Sequence, residues 1–246
     1  MANPKLRADQ LLVERGLAES RERAKRLVMA GLVFLTTNGS RERLDKPGRM
    51  LPADAGLSLS EPERFVSRGA YKLLSGLERF KLNVSGLVAL DVGASTGGFT
   101  DCLLQHGAAK VYAVDVGKSQ LHEKLRADPR VISLEGVNFR LATPDLIREK
   151  ADLAVIDVSF ISLAKILPVV QGFLKRGGYI VALVKPQFEL GPGQTDKGVV
   201  RDETLRMRAV RMVESAAEDL GLASAGYVPA GVKGPKGNQE YLLLLK

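Results

Sequence analysis

The chain has 246 residues, 45% of them hydrophobic and 26% charged, which is the balance of a soluble globular protein able to bury its own core. Its single cysteine, Cys102, excludes an intramolecular disulfide and a cysteine-based metal cluster, and with two histidines, His106 and His122, no metal site is expected. A formal charge of +8 favours a polyanionic partner, because neutralised phosphates release counterions, although a cationic surface also suits anionic lipid.

In chain order, "MANPKLRADQ" has no apolar signal-peptide core, and no later apolar run approaches the length that spans a bilayer. A reducing, cytoplasmic setting without a membrane partner is expected, and a monomer. "LRADQLLVERG" reads as a short amphipathic helix stopped by Gly16. "SRERAKRLVMAG" reads as a helix capped by Ser20 and stopped by Gly31. "LVFLTTNGS" is a strand running into an Asn38-Gly39 turn, and "KPGRMLPADAGLSL" continues as turns and a short strand. In the second helix Ala24, Leu27 and Val28 take core spacing, Arg21, Lys25 and Arg26 point elsewhere, and Arg23 lies at the boundary. Such a face is usually merely solvated. Four basic residues within 21–26, with Glu22 the one acid among them, also make a compact phosphate-binding surface. Residues 1–60 are read as a small α+β domain, and 61–65, with Pro62, as a polar linker.

"VSRGAYKLLSGLERF" opens the larger domain, 66–246, as a helix with Leu73, Leu74, Leu77 and Phe80 on its apolar face and Lys72 off it. Strands are expected at "LVALDV", "KVYAVDV", "VISLE", "DLAVIDV", "YIVALV", "SAGYVP" and "EYLLLL". Helices are expected at 98–106, 119–127, 162–175 and 202–220. Strands alternating with helices at this spacing predict an α/β fold with a doubly wound, mostly parallel sheet of seven strands. The glycine- and proline-rich "KPQFELGPGQTDKGVV" is long for a connection and is a lid candidate.

"ALDVGASTGGFTD" is a strand, a glycine loop and a helix start, and Asp115 ends the next strand, 24 residues after Asp91, where an acid can bind a ribose diol. The spacing of Gly93, Gly97 and Gly98 departs from the dinucleotide pattern G-x-G-x-x-G, which suits a nucleoside ligand without phosphates, such as S-adenosylmethionine. Asp157 and Lys185 follow two further strands, at the sheet edge where open α/β folds bind ligands. Glu240, placed just inside the last strand, would by itself be an edge-strand charge that deters pairing.

Taken together, "SRGAYKL", "DVGASTGGFTD", "DVSFISL", "LVKPQFE" and "GNQEY" resemble the TlyA family along essentially the whole chain. "SRERAKRLVMAGLVFLT" resembles the RNA-binding module named after ribosomal protein S-four. The resemblance implies that module fused to a Rossmann-like class I methyltransferase of the FtsJ/RrmJ type. It implies a Lys-Asp-Lys-Glu tetrad at Lys72, Asp157, Lys185 and Glu240. S-adenosylmethionine would lie against Asp91, Gly93, Ala94, Ser95, Gly97, Gly98, Phe99, Asp115, Asn138 and Asp157. RNA would be met by Arg7, Arg21, Arg23, Lys25, Arg26 and Arg68. The implied reaction is 2′-O-methylation of a ribosomal RNA cytidine, with ribosomal RNA or a ribosomal subunit as partner. Some relatives that modify both subunits carry an extra C-terminal segment, and this chain ends after "YLLLLK", so the large subunit is the expected target. A ribose hydroxyl is a poor nucleophile until its proton is taken, and a free lysine, with a pKa of roughly 10.4, is protonated at neutral pH. Burial and a second ammonium lower that value, so Lys185 is expected to be the base, Lys72 to polarise the hydroxyl, and the two acids to orient the amines. The alternatives are a non-enzymatic ribosome-assembly factor and a membrane-active haemolysin.

Overall fold

A computed structural model describes residues 4–37, 39–60, 63–191 and 193–246. Asn38 of the expected turn and residues 61 and 62 of the expected linker lie outside the described residues. The chain divides into two compact units, 1–64 and 65–246.

The first unit contains β1 (Lys5–Arg7), α1 (Ala8–Glu14), α2 (Arg21–Met29), β2 (Val33–Thr37), β3 (Ser40–Arg43), β4 (Met50–Pro52) and β5 (Gly56–Leu59). β1 pairs with β4, and β2 lies between β3 and β5, all antiparallel. The Ser20 hydroxyl accepts from the Arg23 amide at 3.2 Å and caps α2. Ala24 and Val28 are buried, with Leu27 half-buried beside them, against Leu11, Leu12, Val33, Leu35 and Leu51. The apolar spacing in α2 thus identifies its core face.

The second unit contains α3 (Ala70–Arg79), β6 (Val88–Val92), α4 (Gly98–Gln105), β7 (Lys110–Asp115), α5 (Glu123–Arg126), β8 (Val131–Glu135), β9 (Ala151–Ile156), α6 (Leu167–Gly172), β10 (Leu174–Val184), α7 (Pro186–Glu189), α8 (Glu203–Glu218), β11 (Ser224–Pro229) and β12 (Tyr241–Leu245). Its seven strands form one sheet in the order β11-β12-β10-β9-β6-β7-β8, in which β12 alone runs against its neighbours. This is the doubly wound, mostly parallel seven-stranded sheet expected from the sequence. From β6 the chain winds outward to β7 and β8, then crosses back to β9, so the crevice beyond the ends of β6 and β9 is the topological switch point. Apolar side chains fill both faces of the sheet, Leu90, Ile156 and Val184 on one and Ala89, Val155 and Leu183 on the other. Burial on both faces explains why these strands read as continuous apolar runs.

Three expectations need correction. The segment 119–127 is helical only over α5, because the Glu135 carboxylate accepts the amides of Ser119, Gln120 and Leu121 and holds them in a turn. The segment 162–175 is a 3-10 turn, Leu163–Lys165, followed by α6, and Leu174 already begins β10. Phe65, placed in the linker, is buried in the larger unit, edge-on to Tyr71 with ring centroids 5.2 Å apart.

Candidate active site

The glycine loop runs from β6 to α4 at the switch point. Gly93 has φ 86°, and a Cβ there would lie 2.6 Å from the backbone carbonyl oxygen of Asp157, so a side chain is excluded by both conformation and space. Gly97, at φ 93°, makes the left-handed turn into α4. Gly98 lets α4 approach the start of α3, since a Cβ would stand 2.6 Å from the Ser67 hydroxyl. Asp115 fastens the loop: its carboxylate accepts the amides of Ser95 at 2.8 Å and Gly117 at 2.7 Å, and keeps lone pairs for a further donor. A cavity of about 380 Å³ opens here, lined by Gly93, Ser95, Asp115, Asn138 and Phe139 among others. Its size, with the carboxylates of Asp115 and Asp157 among mainly apolar, hydroxyl and amide groups, fits a nucleoside, and the bare Gly93 Cα leaves room for it.

Other residues assigned to the cofactor occupy different places. Ala94, Gly98 and Phe99 border a second cavity, of about 220 Å³, and the Phe99 ring is part of the core. Asp91 lines neither cavity and lies fully buried below the loop. Its Oδ2 accepts from the Thr100 hydroxyl at 2.6 Å, while Oδ1 has no hydrogen-bond partner among the described residues. Burial, and secondarily the charges of Asp157 and Asp115, push this carboxyl up to about 7.

The second cavity shares Gly93, Ser95, Asp157 and Ser159 with the first and is also lined by Lys72 and Lys185. Each lysine reaches it from a different element. Asp157 follows β9, and its amide donates to the Val92 carbonyl at 2.9 Å, which ties it to the glycine loop. Lys185 follows β10, the strand beside β9, and its Nζ stands 2.6 Å from Asp157 Oδ1 and donates to the Ser159 hydroxyl at 2.9 Å. The angles at Asp157 Oδ1 are not those of a hydrogen bond, so this contact is a close ion pair. Val184 faces Tyr241 across the β10–β12 ladder, so the next residues out, Lys185 and Glu240, leave the two strands side by side. Glu240 therefore precedes β12 rather than lying within it, and β12 is flanked on both sides, so the edge-charge reading does not hold.

Glu240 is fully buried and accepts from Lys72 Nζ at 2.5 Å. Lys72 is itself 8% exposed. It lies one helical turn before Gly76, where a Cβ would come within 2.6 Å of Leu242. Glycine at that position brings α3 close onto β12 and sets Lys72 at the Glu240 end of the strand. The structure thus assembles Lys72, Asp157, Lys185 and Glu240 as two ion pairs at one cleft, Lys72–Glu240 buried and Lys185–Asp157 with its carboxylate partly exposed.

Among the basic residues, Arg7 donates to Asp9 at 3.0 and 2.9 Å, and Arg21 to the same buried carboxylate at 3.3 Å. Side-chain hydrogen bonds to Asp9 hold the Arg7 pKa above its ordinary value and that of Asp9 below. Lys25 pairs with Glu22 at 2.8 Å. Arg23, Arg26 and Arg68 are exposed, and the described residues include no ion pair to any of them.

Sequence reasoning passed over Phe160 and Phe188. Phe160 is 89% exposed, holds φ 64°, lines the larger cavity and has its ring centroid 5.0 Å from that of Phe188. Lys185 Nζ lies 5.9 Å from the Phe188 ring. A bulky apolar residue in the left-handed region and in solvent is unfavourable twice over, and that conflict between "DVSF" and its structure makes Phe160 a candidate functional position.

The FtsJ-like methyltransferase model matches residues 65–246. The 16S/23S rRNA (cytidine-2′-O)-methyltransferase TlyA of Mycobacterium tuberculosis is 47% identical, over 98% of this chain and 89% of that one. Hemolysin A of Brachyspira hyodysenteriae is 38% identical over 96% of this chain and 98% of its own length. A solved structure from Streptococcus thermophilus, named as a hemolysin, is 48% identical with a TM-score of 0.74, covering 99% of this chain and 89% of that one. The glycine loop, the sheet order and these similarities converge: the chain belongs to the FtsJ-like methyltransferase family and is an S-adenosylmethionine-dependent methyltransferase.

Proposed function

We propose that the methyl acceptor is a ribose 2′-hydroxyl of ribosomal RNA, on a cytidine as in the relative from Mycobacterium tuberculosis. The observation that carries this reading is the pair of ion pairs, Lys72–Glu240 and Lys185–Asp157, whose two lysines are both buried, on a cleft that opens into the nucleoside-sized cavity. A base-nitrogen acceptor needs no second amine, whereas an alcohol needs its proton removed and its oxygen held.

Bound S-adenosylmethionine supplies a methyl group on a sulfonium, already a good leaving group. Gly93, Ser95, Asp115 and Asn138 would hold it along the larger cavity. Lys185 serves as the base that takes the hydroxyl proton, with Asp157 and Ser159 fixing its direction. Lys72, held by Glu240, donates to the developing oxyanion. Fixing the oxygen in line with the methyl group provides much of the acceleration. Phe160 and Phe188 offer the target base a stacking surface at the rim. The first unit grips RNA through Arg23, Arg26 and neighbouring cations, and Arg68 adds a phosphate contact. No described helix is long and apolar enough to cross a membrane.

The test incubates the protein and Lys185→Ala with radiolabelled S-adenosylmethionine and separated ribosomal subunits, then digests the RNA to nucleosides. Labelled 2′-O-methylcytidine from the wild type, absent with Lys185→Ala of unchanged cofactor affinity, is the expected result. Label on a base, or full transfer by Lys185→Ala, would overturn the assignment. The subunit carrying the label identifies the target.

A further inference from the structure

Gly234 stands over the carboxylate of Glu240. A Cβ built there would lie 2.0 Å from Glu240 Oε1 and 2.5 Å from Cδ. Gly234 does not have the positive φ that would itself demand glycine, so only the carboxylate excludes a side chain. Glu240 Oε1 has no hydrogen-bond partner among the described residues, whereas Oε2 holds Lys72. Among the described residues, Lys72 is therefore the polar group that fixes this carboxylate. The wall of the pocket around it must do the rest, and Gly234 is that wall.

The wall is itself anchored. The Gly234 amide donates to the Asn238 carbonyl at 2.9 Å. The Asn238 side chain, 2% exposed, accepts from the Val200 amide at 3.0 Å and donates to the Gly198 carbonyl at 2.8 Å. Two segments, 198–200 and 234–238, are thereby stitched together beside the candidate active site, and the "GNQE" motif has a use for its asparagine as well as its glutamate.

We infer that Gly234 is a positioning residue for the Lys72–Glu240 pair, its missing side chain being the space in which the carboxylate is held against Lys72. The inference rests on the tetrad reading above. A methyl group at 234 meets only the far end of a flexible side chain, so the fold absorbs it and the carboxylate moves.

The experiment compares kcat, KM for RNA and S-adenosylmethionine affinity in Gly234→Ala, Glu240→Asp, the double variant and Glu240→Ala. Gly234→Ala should lower kcat on the order of a hundredfold, as an ångström-scale misplacement does, with cofactor affinity unchanged. Glu240→Asp withdraws the carboxylate by one methylene, so the double variant should recover at least tenfold over Gly234→Ala, which mere damage to the loop would not allow. Full activity of Gly234→Ala, or a double variant no better than either single one, would overturn the inference. Full activity of Glu240→Ala would instead overturn the tetrad reading beneath it.

Discussion

Asp91 provides a test of the buried electrostatics that needs no substrate. Its carboxyl is fully buried, and one oxygen lacks a partner among the described residues. Burial raises it from the ordinary 3.8 to about 7 in the folded protein. Between these values the folded state holds the proton and the unfolded chain has lost it, so the folded state binds more protons and stability falls as pH rises. Spread over about three pH units at 1.36 kcal/mol each, the full cost of burying the charge is about 4 kcal/mol, and about 2.5 kcal/mol of it accrues between pH 5 and pH 8. Asp91→Asn cannot ionise. It keeps an acceptor for Thr100 but puts an amide donor where no acceptor waits, at a cost of about 1–3 kcal/mol that does not vary with pH. The two proteins should thus differ by an offset that changes by about 2.5 kcal/mol across this range, in favour of the variant at pH 8. All five tyrosines lie in 65–246 and there is no tryptophan, so tyrosine fluorescence during urea unfolding follows this unit alone. Parallel stability profiles for the wild type and Asp91→Asn between pH 5 and pH 8 would refute the reasoning.

Phe160→Ala should leave stability within about 0.5 kcal/mol, because the ring is exposed, yet lower kcat/KM for RNA about tenfold through lost stacking. Urea unfolding and methyl-transfer kinetics check the two halves, and an unchanged kcat/KM would remove Phe160 from the site. Arg23→Ala and Arg26→Ala should each reduce the salt dependence of RNA binding by about one phosphate contact without loosening the fold. Arg7→Ala removes two of the hydrogen bonds to Asp9 and should instead speed hydrogen exchange in α1 and α2. The opposite pattern, with Arg7 setting the salt slope and Arg23 the exchange, would sink this division of labour.

The strands were legible because burial on both faces of a parallel sheet leaves nearly unbroken apolar runs, and the glycine loop was legible because its conformation admits few residues. Short helices were not: α5 shrinks because a carboxylate on the neighbouring strand captures three amides, which no window of local propensity contains. The tetrad shows the same limit more sharply. Lys72 and Glu240 are 168 residues apart, and each alone has an innocuous reading, a solvated helix charge or an edge charge. Burial makes each of them costly, and their meeting is what compensates the cost, since a buried ion is retained where a partner offsets its desolvation. The placement of β12 between β10 and β11 causes that meeting, a consequence of the whole sheet order rather than of any segment. Family resemblance could supply the four residues, because it carries the outcome of a known fold. It could not supply Gly234, whose part is played by an absence of atoms. A glycine of ordinary φ declares nothing in a sequence until the carboxylate six residues later is seen lying where its side chain would be.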